Sequence, residues 1–199
     1  MENSEFNKIR EFYNNKVKEH GHSPKACDYG RPESQLTKFN VIANMANFEC
    51  TSILDVGCGF GDFKRHLKNR FKEVDYTGID LSDEMINLAK KIDPLIKVRK
   101  ENIMNMQKGR YYDYIIANGI FYLLVERPET KMKEMVEKMF EHSKVGVIFN
   151  SLSTWADKKE DDEFYADPCK TLEWCSKISN KIQLKHDYMG HDFTVMLSK

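Results

Sequence analysis

The sequence predicts an α/β fold: a doubly wound, mostly parallel, seven-stranded sheet with an antiparallel hairpin at its carboxyl end and a helical cap at its amino end. After residue 50, short β-branched runs alternate with amphipathic helical patterns, the signature of βαβ units. Near the carboxyl end, two stretches of period-two alternation flank Met189-Gly190, and a parallel sheet tolerates such an antiparallel edge. Before residue 50 there are two helical patterns. The 199 residues suit a single domain with its own core, divided into a helical cap (1–50), a sheet core (51–150) and a lid segment, helix and hairpin (151–199).

Each element follows from spacing. Phe6, Ile9, Tyr13 and Val17 mark a first helix and Leu36, Phe39, Ala43 and Ala46 a second, linked through Gly21 to Pro32. Strands are expected at Ser52 to Val56, Val74 to Ile79, Ile96 to Arg99, Tyr112 to Asn118 and Val145 to Asn150. Between them, Phe63, Leu67 and Phe71, then Met85, Leu88, Ala89 and Ile92, then Met132, Met135, Val136, Met139 and Phe140 each trace one apolar helix face. Ser82 before Asp83-Glu84-Met85 reads as a helix cap with acids in the first turn. The charged stretch Ser151 to Pro168 reads as a lid, and Asp167-Pro168-Cys169 as a helix start. Lys181 to Tyr188 and His191 to Ser198 form the hairpin.

Composition narrows the function classes. Thirty-one Lys and Arg balance 31 Asp and Glu, so there is no global basic field to draw the chain onto nucleic acid. The five cysteines include no CxxC pair, which argues for free thiols in a reducing compartment and against a metal site. Met1-Glu2-Asn3-Ser4 and the residues after it lack the apolar run of a secretory signal, and no segment approaches the ~20 apolar residues of a membrane span. A cytoplasmic protein without membrane attachment, monomeric or homodimeric, is expected.

The strongest motif is Ile53-Leu54-Asp55-Val56-Gly57-Cys58-Gly59-Phe60-Gly61-Asp62, a buried strand running through a glycine loop into a helix. Glycines there let backbone approach a nucleotide-like ligand closely at a helix amino terminus. A dinucleotide fingerprint needs GxGxxG, but Gly61 falls one place early, against a nicotinamide cofactor. The second motif, Tyr76-Thr77-Gly78-Ile79-Asp80, delivers a carboxylate at a strand end, where it can accept from both hydroxyls of a ribose.

Together with Leu81, Ser82 and Met85, these motifs resemble the first two of the class I S-adenosylmethionine-dependent methyltransferases, over about residues 50 to 150. The resemblance implies a Rossmann-like methyltransferase fold, S-adenosylmethionine as cofactor and S-adenosylhomocysteine as product. It implies that the loop carrying Asp55, Gly57, Cys58 and Gly59 meets the methionine part, that Asp80 holds the ribose, and that Leu81 neighbours the adenine. The third motif resembles Glu101-Asn102-Ile103, with Asn102 where the family usually has Asp, so Asn102 and Ile103, or Glu101 instead, meet the adenine. The fourth resembles Asp113 to Tyr122 and places Asn118 and Gly119 beside the transferred methyl. The family's basic residue for the cofactor carboxylate is carried by Lys38 or Arg31, unless both are solvated surface.

An activated methyl needs mainly an aligned nucleophile, and alignment supplies about 7–11 kcal/mol. A base adds about 10²- to 10⁴-fold for a hydroxyl or amine acceptor. His22 and His191 are the candidate bases; Tyr13, Tyr122 and Trp155 are candidate substrate contacts, whereas Trp174 reads as packed. DNA is not expected as substrate, since Asn118-Gly119-Ile120-Phe121 lacks the Pro-Pro-aromatic run of the amino methyltransferases that act on it. The acidic run from Asp157 to Glu163 suits either a solvated face or a cationic substrate. The function expected is methyl transfer to oxygen or nitrogen of a small molecule. Methylation of a protein or RNA, and cofactor binding without catalysis, are the alternatives.

Overall fold

The computed structural model describes residues 4–199. Met1, Glu2 and Asn3, part of the predicted cap and of the amino terminus read for a signal, lie outside the described residues. Two helices lead in: α1 (Ser4–His20) and α2 (Pro32–Met45), joined through a 3-10 turn at Pro24–Cys27. There follow β1 (Thr51–Val56), α3 (Asp62–Lys68), β2 (Val74–Asp80), α4 (Asp83–Ile92), β3 (Val98–Lys100) and β4 (Tyr112–Ala117). The chain ends with α5 (Pro128–His142), β5 (Ser143–Leu152), α6 (Pro168–Cys175), β6 (Lys181–Met189) and β7 (Asp192–Ser198).

The strands form one seven-stranded sheet in the order β3-β2-β1-β4-β5-β7-β6. The first five are parallel; β7 pairs antiparallel with both β5 and β6. The second strand of the predicted hairpin is therefore inserted beside β5, and the first forms the edge. Because β7 continues its pairing as far as Leu152 opposite Asp192, β5 is longer than the expected Val145 to Asn150. Conversely β3 starts at Val98 rather than Ile96, whose N–H closes a turn onto the Asp93 carbonyl.

Alternate strand residues divide two layers, as the period of a strand requires. Ile53, Ile116 and Ile148 pack against Ile42 and Ala43 of α2, Phe63 and Leu67 of α3, and Ile86 and Ala89 of α4. Leu54, Ile115, Val147 and Phe149 pack against Met132, Val136 and Met139 of α5 and Trp174 of α6. One expectation is refined: α2 covers the sheet as well as capping it, because its stripe of Phe39, Ile42 and Ala43 meets the sheet directly while Gln35 and Phe39 also face the cavity at the strand ends. Among the described residues α1 and the 3-10 turn also cap the strand ends, with Val17 and Ala26 buried on Phe60 and Met85. The expected caps are present: Ser82 Oγ accepts from the Met85 N–H, and Asp167 accepts from Cys169 and Lys170 with Pro168 at the first position. The lid segment is pinned at its base where Ala166 N–H reaches the Leu152 carbonyl, and its acidic residues 157–162 are exposed.

Candidate active site

In a sheet of this order, the crevice outside the carboxyl ends of β1 and β4, where the strand order reverses, is the expected ligand position. A cavity opens there, enclosing about 1030 Å³ of empty space, solvent at its mouth included. Its walls bring together Asp55, Gly57, Cys58, Gly59, Asp80, Leu81, Asn102, Ile103, Asn118 and Gly119 from four strand ends, with Tyr13 above them on α1.

The glycine loop is shaped by backbone that a side chain would obstruct. Gly57 has φ +73°, and a Cβ there would stand 2.3 Å from Cγ2 of Ile120. The loop's other fixed point is Asp80. Its Oδ2 accepts from the Gly59 N–H at 2.8 Å and its Oδ1 from the Ser82 N–H at 2.9 Å, so one carboxylate braces the glycine loop against the end of β2. Each oxygen keeps acceptor capacity toward the cavity. Burial pushes the Asp80 carboxyl up, and the backbone N–H groups of Ser82, Gly59 and Leu81 oppose it.

Asp55 lies deeper. Tyr76 Oη donates to its Oδ2 at 2.6 Å, but burial dominates and pushes the carboxyl up to about 7, with the charges of Asp80 and Asp62 adding to the rise. Cys58 is packed beneath the loop, where a Cβ on Gly78 would meet its sulfur at 2.6 Å. Asn102 Oδ1 accepts from the Met104 N–H and starts a short 3-10 turn, while the Glu101 carboxylate is engaged by both Arg99 and Arg110.

At the end of β4 a line of amides crosses the sheet. Asn118 Nδ2 donates to Tyr29 Oη at 3.0 Å, Asn150 Nδ2 donates to Asn118 Oδ1 at 2.6 Å, and Asn150 Oδ1 accepts from the Gly119 N–H at 2.6 Å. Beyond them lies a second cavity, with about 460 Å³ of empty space when the solvent at its mouth is included, lined by Asp28, Lys38, Tyr122, Asn150, Glu163 and Asp192 among others. The two cavities share Cys27, Tyr29 and Gly119 as common wall.

Several expected residues are elsewhere. Lys38 reaches the second cavity, not the first, because its Nζ is committed to Asp192 Oδ2 at 2.5 Å, both side chains buried. Arg31 is exposed at the start of α2 and lines neither cavity. His22 stands outside both, turned onto Asp62 and Arg65. His191 is exposed in the hairpin turn, and Trp155, 56% exposed, leans on His186 with ring centroids 5.0 Å apart. Tyr122, a candidate substrate contact, is not displaced in this way: it lines the second cavity. Asp28 and Asn150 were not foreseen. Asn150 had a readable signal, a polar residue closing the apolar run Val147-Ile148-Phe149; Asp28, in a linker with left-handed backbone (φ 59°), had none.

A family model described as a methyltransferase domain matches residues 53–146. The Mycobacterium tuberculosis protein Rv1506c, provisionally named a methyltransferase, is 34% identical over 155 residues, covering 74% of this chain and 93% of that protein. The malonyl-[acyl-carrier protein] O-methyltransferase of Bacillus anthracis is 32% identical over 98 residues, 48% of this chain and 35% of that enzyme. Among solved structures, the magnesium protoporphyrin IX methyltransferase of Synechocystis PCC 6803 with bound SAH superposes with a TM-score of 0.72 at 10% identity, covering 97% of this chain and 99% of the other. That likeness is one of fold.

Proposed function

Because the chain belongs to the class I S-adenosylmethionine-dependent methyltransferases, we propose that it transfers a methyl group from S-adenosylmethionine to oxygen or nitrogen of a small molecule in the cytoplasm. The observation that carries this reading is the pair of cavities meeting at Cys27, Tyr29 and Gly119, one suited to the cofactor and one to an acceptor.

The residues present fit the cofactor. Asp80 offers the remaining capacity of both oxygens to ribose hydroxyls, and its bonds to Gly59 and Ser82 hold it in place. Gly57, Gly59 and Gly119, all at positive φ, leave backbone open to the methionine part, with Asp55 behind them for its ammonium group. Leu81 and Ile103 offer apolar surface to the adenine, and Asn102 keeps its amide N–H groups for the ring edge. The bound cofactor supplies a methyl already activated by its sulfonium. Asn118, held between Tyr29 and Asn150, fixes the wall where the two cavities join. Neither His22 nor His191 has a role in this reading.

A second cavity set beside the first, walled by Lys38, Tyr122, Asn150 and Asp192, supports a small acceptor over a protein or RNA. Among the described residues no helix is long and apolar enough to cross a membrane.

Calorimetric titration with S-adenosylmethionine, S-adenosylhomocysteine and NAD in parallel tests the cofactor. Binding of the two sulfur compounds and not of NAD is expected. Binding of NAD alone, or of none, would overturn the reading. A cofactor-binding protein that never forms S-adenosylhomocysteine across a metabolite screen would be a binder rather than an enzyme.

A further inference from the structure

A chain of hydroxyls runs between the two cavities, and its direction is fixed at one end. Tyr122 Oη lies 2.8 Å from Asp28 Oδ2 and 2.9 Å from Tyr13 Oη. A carboxylate only accepts, so the single Tyr122 proton goes to Asp28, and Tyr13 is the donor in the bond between the two phenols. The Tyr13 oxygen is then left able only to accept. Tyr13 lines the first cavity beside Cys27, Asp80 and Gly119, whereas Tyr122 and Asp28 line the second. Lys16 Nζ stands 2.7 Å from Asp28 Oδ1 as counter-ion, and the Asp28 side chain, 27% exposed, reaches solvent. Burial pushes both phenols far above their ordinary range, so neither persists as a phenolate.

Resting on the methyltransferase reading above, we propose that Tyr13, Tyr122 and Asp28 form a proton relay serving an acceptor that bears its own proton on the reacting atom, a hydroxyl or a neutral amine. The lone pair of that oxygen or nitrogen forms a bond to the methyl carbon as the carbon–sulfur bond breaks. The pair from the broken bond stays on sulfur, turning the sulfonium into a thioether. With the acceptor reaching from the second cavity past Cys27, Tyr29 and Gly119 to the methyl in the first, its proton passes to the Tyr13 oxygen, the Tyr13 proton to Tyr122, and the Tyr122 proton to the Asp28 carboxylate, which gives it up to water. Tyr13 is the catalytic residue of the three; Tyr122 and Asp28 act through it. An acceptor without such a proton, a dialkyl sulfide for example, gives Tyr13 nothing to accept.

The test uses the whole protein with tritium-labelled methyl in S-adenosylmethionine and a panel of primary alcohols, phenols, primary amines and dialkyl sulfides. Label is expected in members bearing O–H or N–H and not in the sulfides. Tyr13→Phe, Tyr122→Phe and Asp28→Asn should each lower transfer about 10²- to 10⁴-fold and abolish a solvent deuterium isotope effect present in the unaltered protein. Tyr13→Phe should also weaken binding of the responsive alcohol or amine to the S-adenosylhomocysteine complex about threefold to tenfold. Unchanged S-adenosylhomocysteine binding by Tyr122→Phe and Asp28→Asn shows those variants to be folded. Comparable transfer to sulfides, or an isotope effect retained in Tyr122→Phe, overturns the relay. Cofactor binding with no transfer to any panel member overturns the acceptor class and leaves the methyltransferase reading standing. No binding of either sulfur compound overturns that reading instead.

Discussion

Asp80 carries two burdens at once. From the sequence alone, removing it should weaken cofactor binding with little loss of fold; the structure changes that, because the same carboxylate accepts from Gly59 and Ser82. Asp80→Ala should therefore lose about 1–3 kcal/mol of stability in urea unfolding, as two backbone N–H groups lose their partner, together with about tenfold or more in affinity for S-adenosylhomocysteine by calorimetry. Loss of affinity without loss of stability would mean that the loop holds itself. Asp55 is different in kind, since its burden is its own desolvation. Its carboxyl titrates near 3.8 in the unfolded chain and is pushed up to about 7 in the folded one. Below the lower value both states hold the proton, and between the two only the folded state does, so the contribution of Asp55 to stability is greatest in acid and is lost as pH rises through about 7. Urea midpoints measured across that window should show this loss as a difference, the unaltered protein falling relative to Asp55→Asn as pH rises. Both residues were legible because a strand, a glycine loop and a second strand end are local patterns. The hydrogen bond from Asn118 to Tyr29 was not, for it joins positions 89 residues apart and no spacing rule connects them.

At the scale of the element, the glycine loop shows how far a local reading reaches. The sequence places glycines where backbone must come close to a ligand; it does not show that Gly57 is also required by its neighbour Ile120. A Cβ at Gly57 would lie 2.3 Å from a branched side chain on a backbone at φ +73°. Gly57→Ala should lose about 2–5 kcal/mol from the left-handed backbone and the overpacking combined. A urea titration giving an unchanged midpoint would place the glycine requirement in the ligand alone. The helical cap shows the same limit. A helical stripe of Phe39, Ile42 and Ala43 states that one face is buried but not against what, and α2 turned out to cover the sheet beside α3 and α4. The hairpin was legible as two alternating strands, whereas the insertion of β7 between β5 and β6 was a matter of topology that alternation does not encode.

Across the whole molecule, one contact joins the start of the chain to its end. Lys38 of α2 meets Asp192 at the start of β7, with side chains 9% and 1% exposed, and Tyr188 Oη donates to the same carboxylate. From sequence alone Lys38 suits a cofactor ligand or a surface charge, because paired charges 154 positions apart look identical to solvated ones until the fold brings them together. Removing one partner of such a pair leaves the other charge buried and uncompensated, at a cost of about 3–5 kcal/mol. Lys38→Met should lower the thermal midpoint accordingly, and adding Asp192→Asn should restore part of it, since the charge that lost its partner is then gone. Should Lys38→Met be neutral, the pair would be solvated in the working protein. Should the second substitution add its own loss in full, the carboxylate would be acting chiefly through Tyr188. The pair also lines the second cavity, so the same two variants report on the acceptor side. Cofactor affinity should stay as it is in both, because neither residue lines the first cavity, while transfer to an acceptor that fills the second should fall with Lys38→Met.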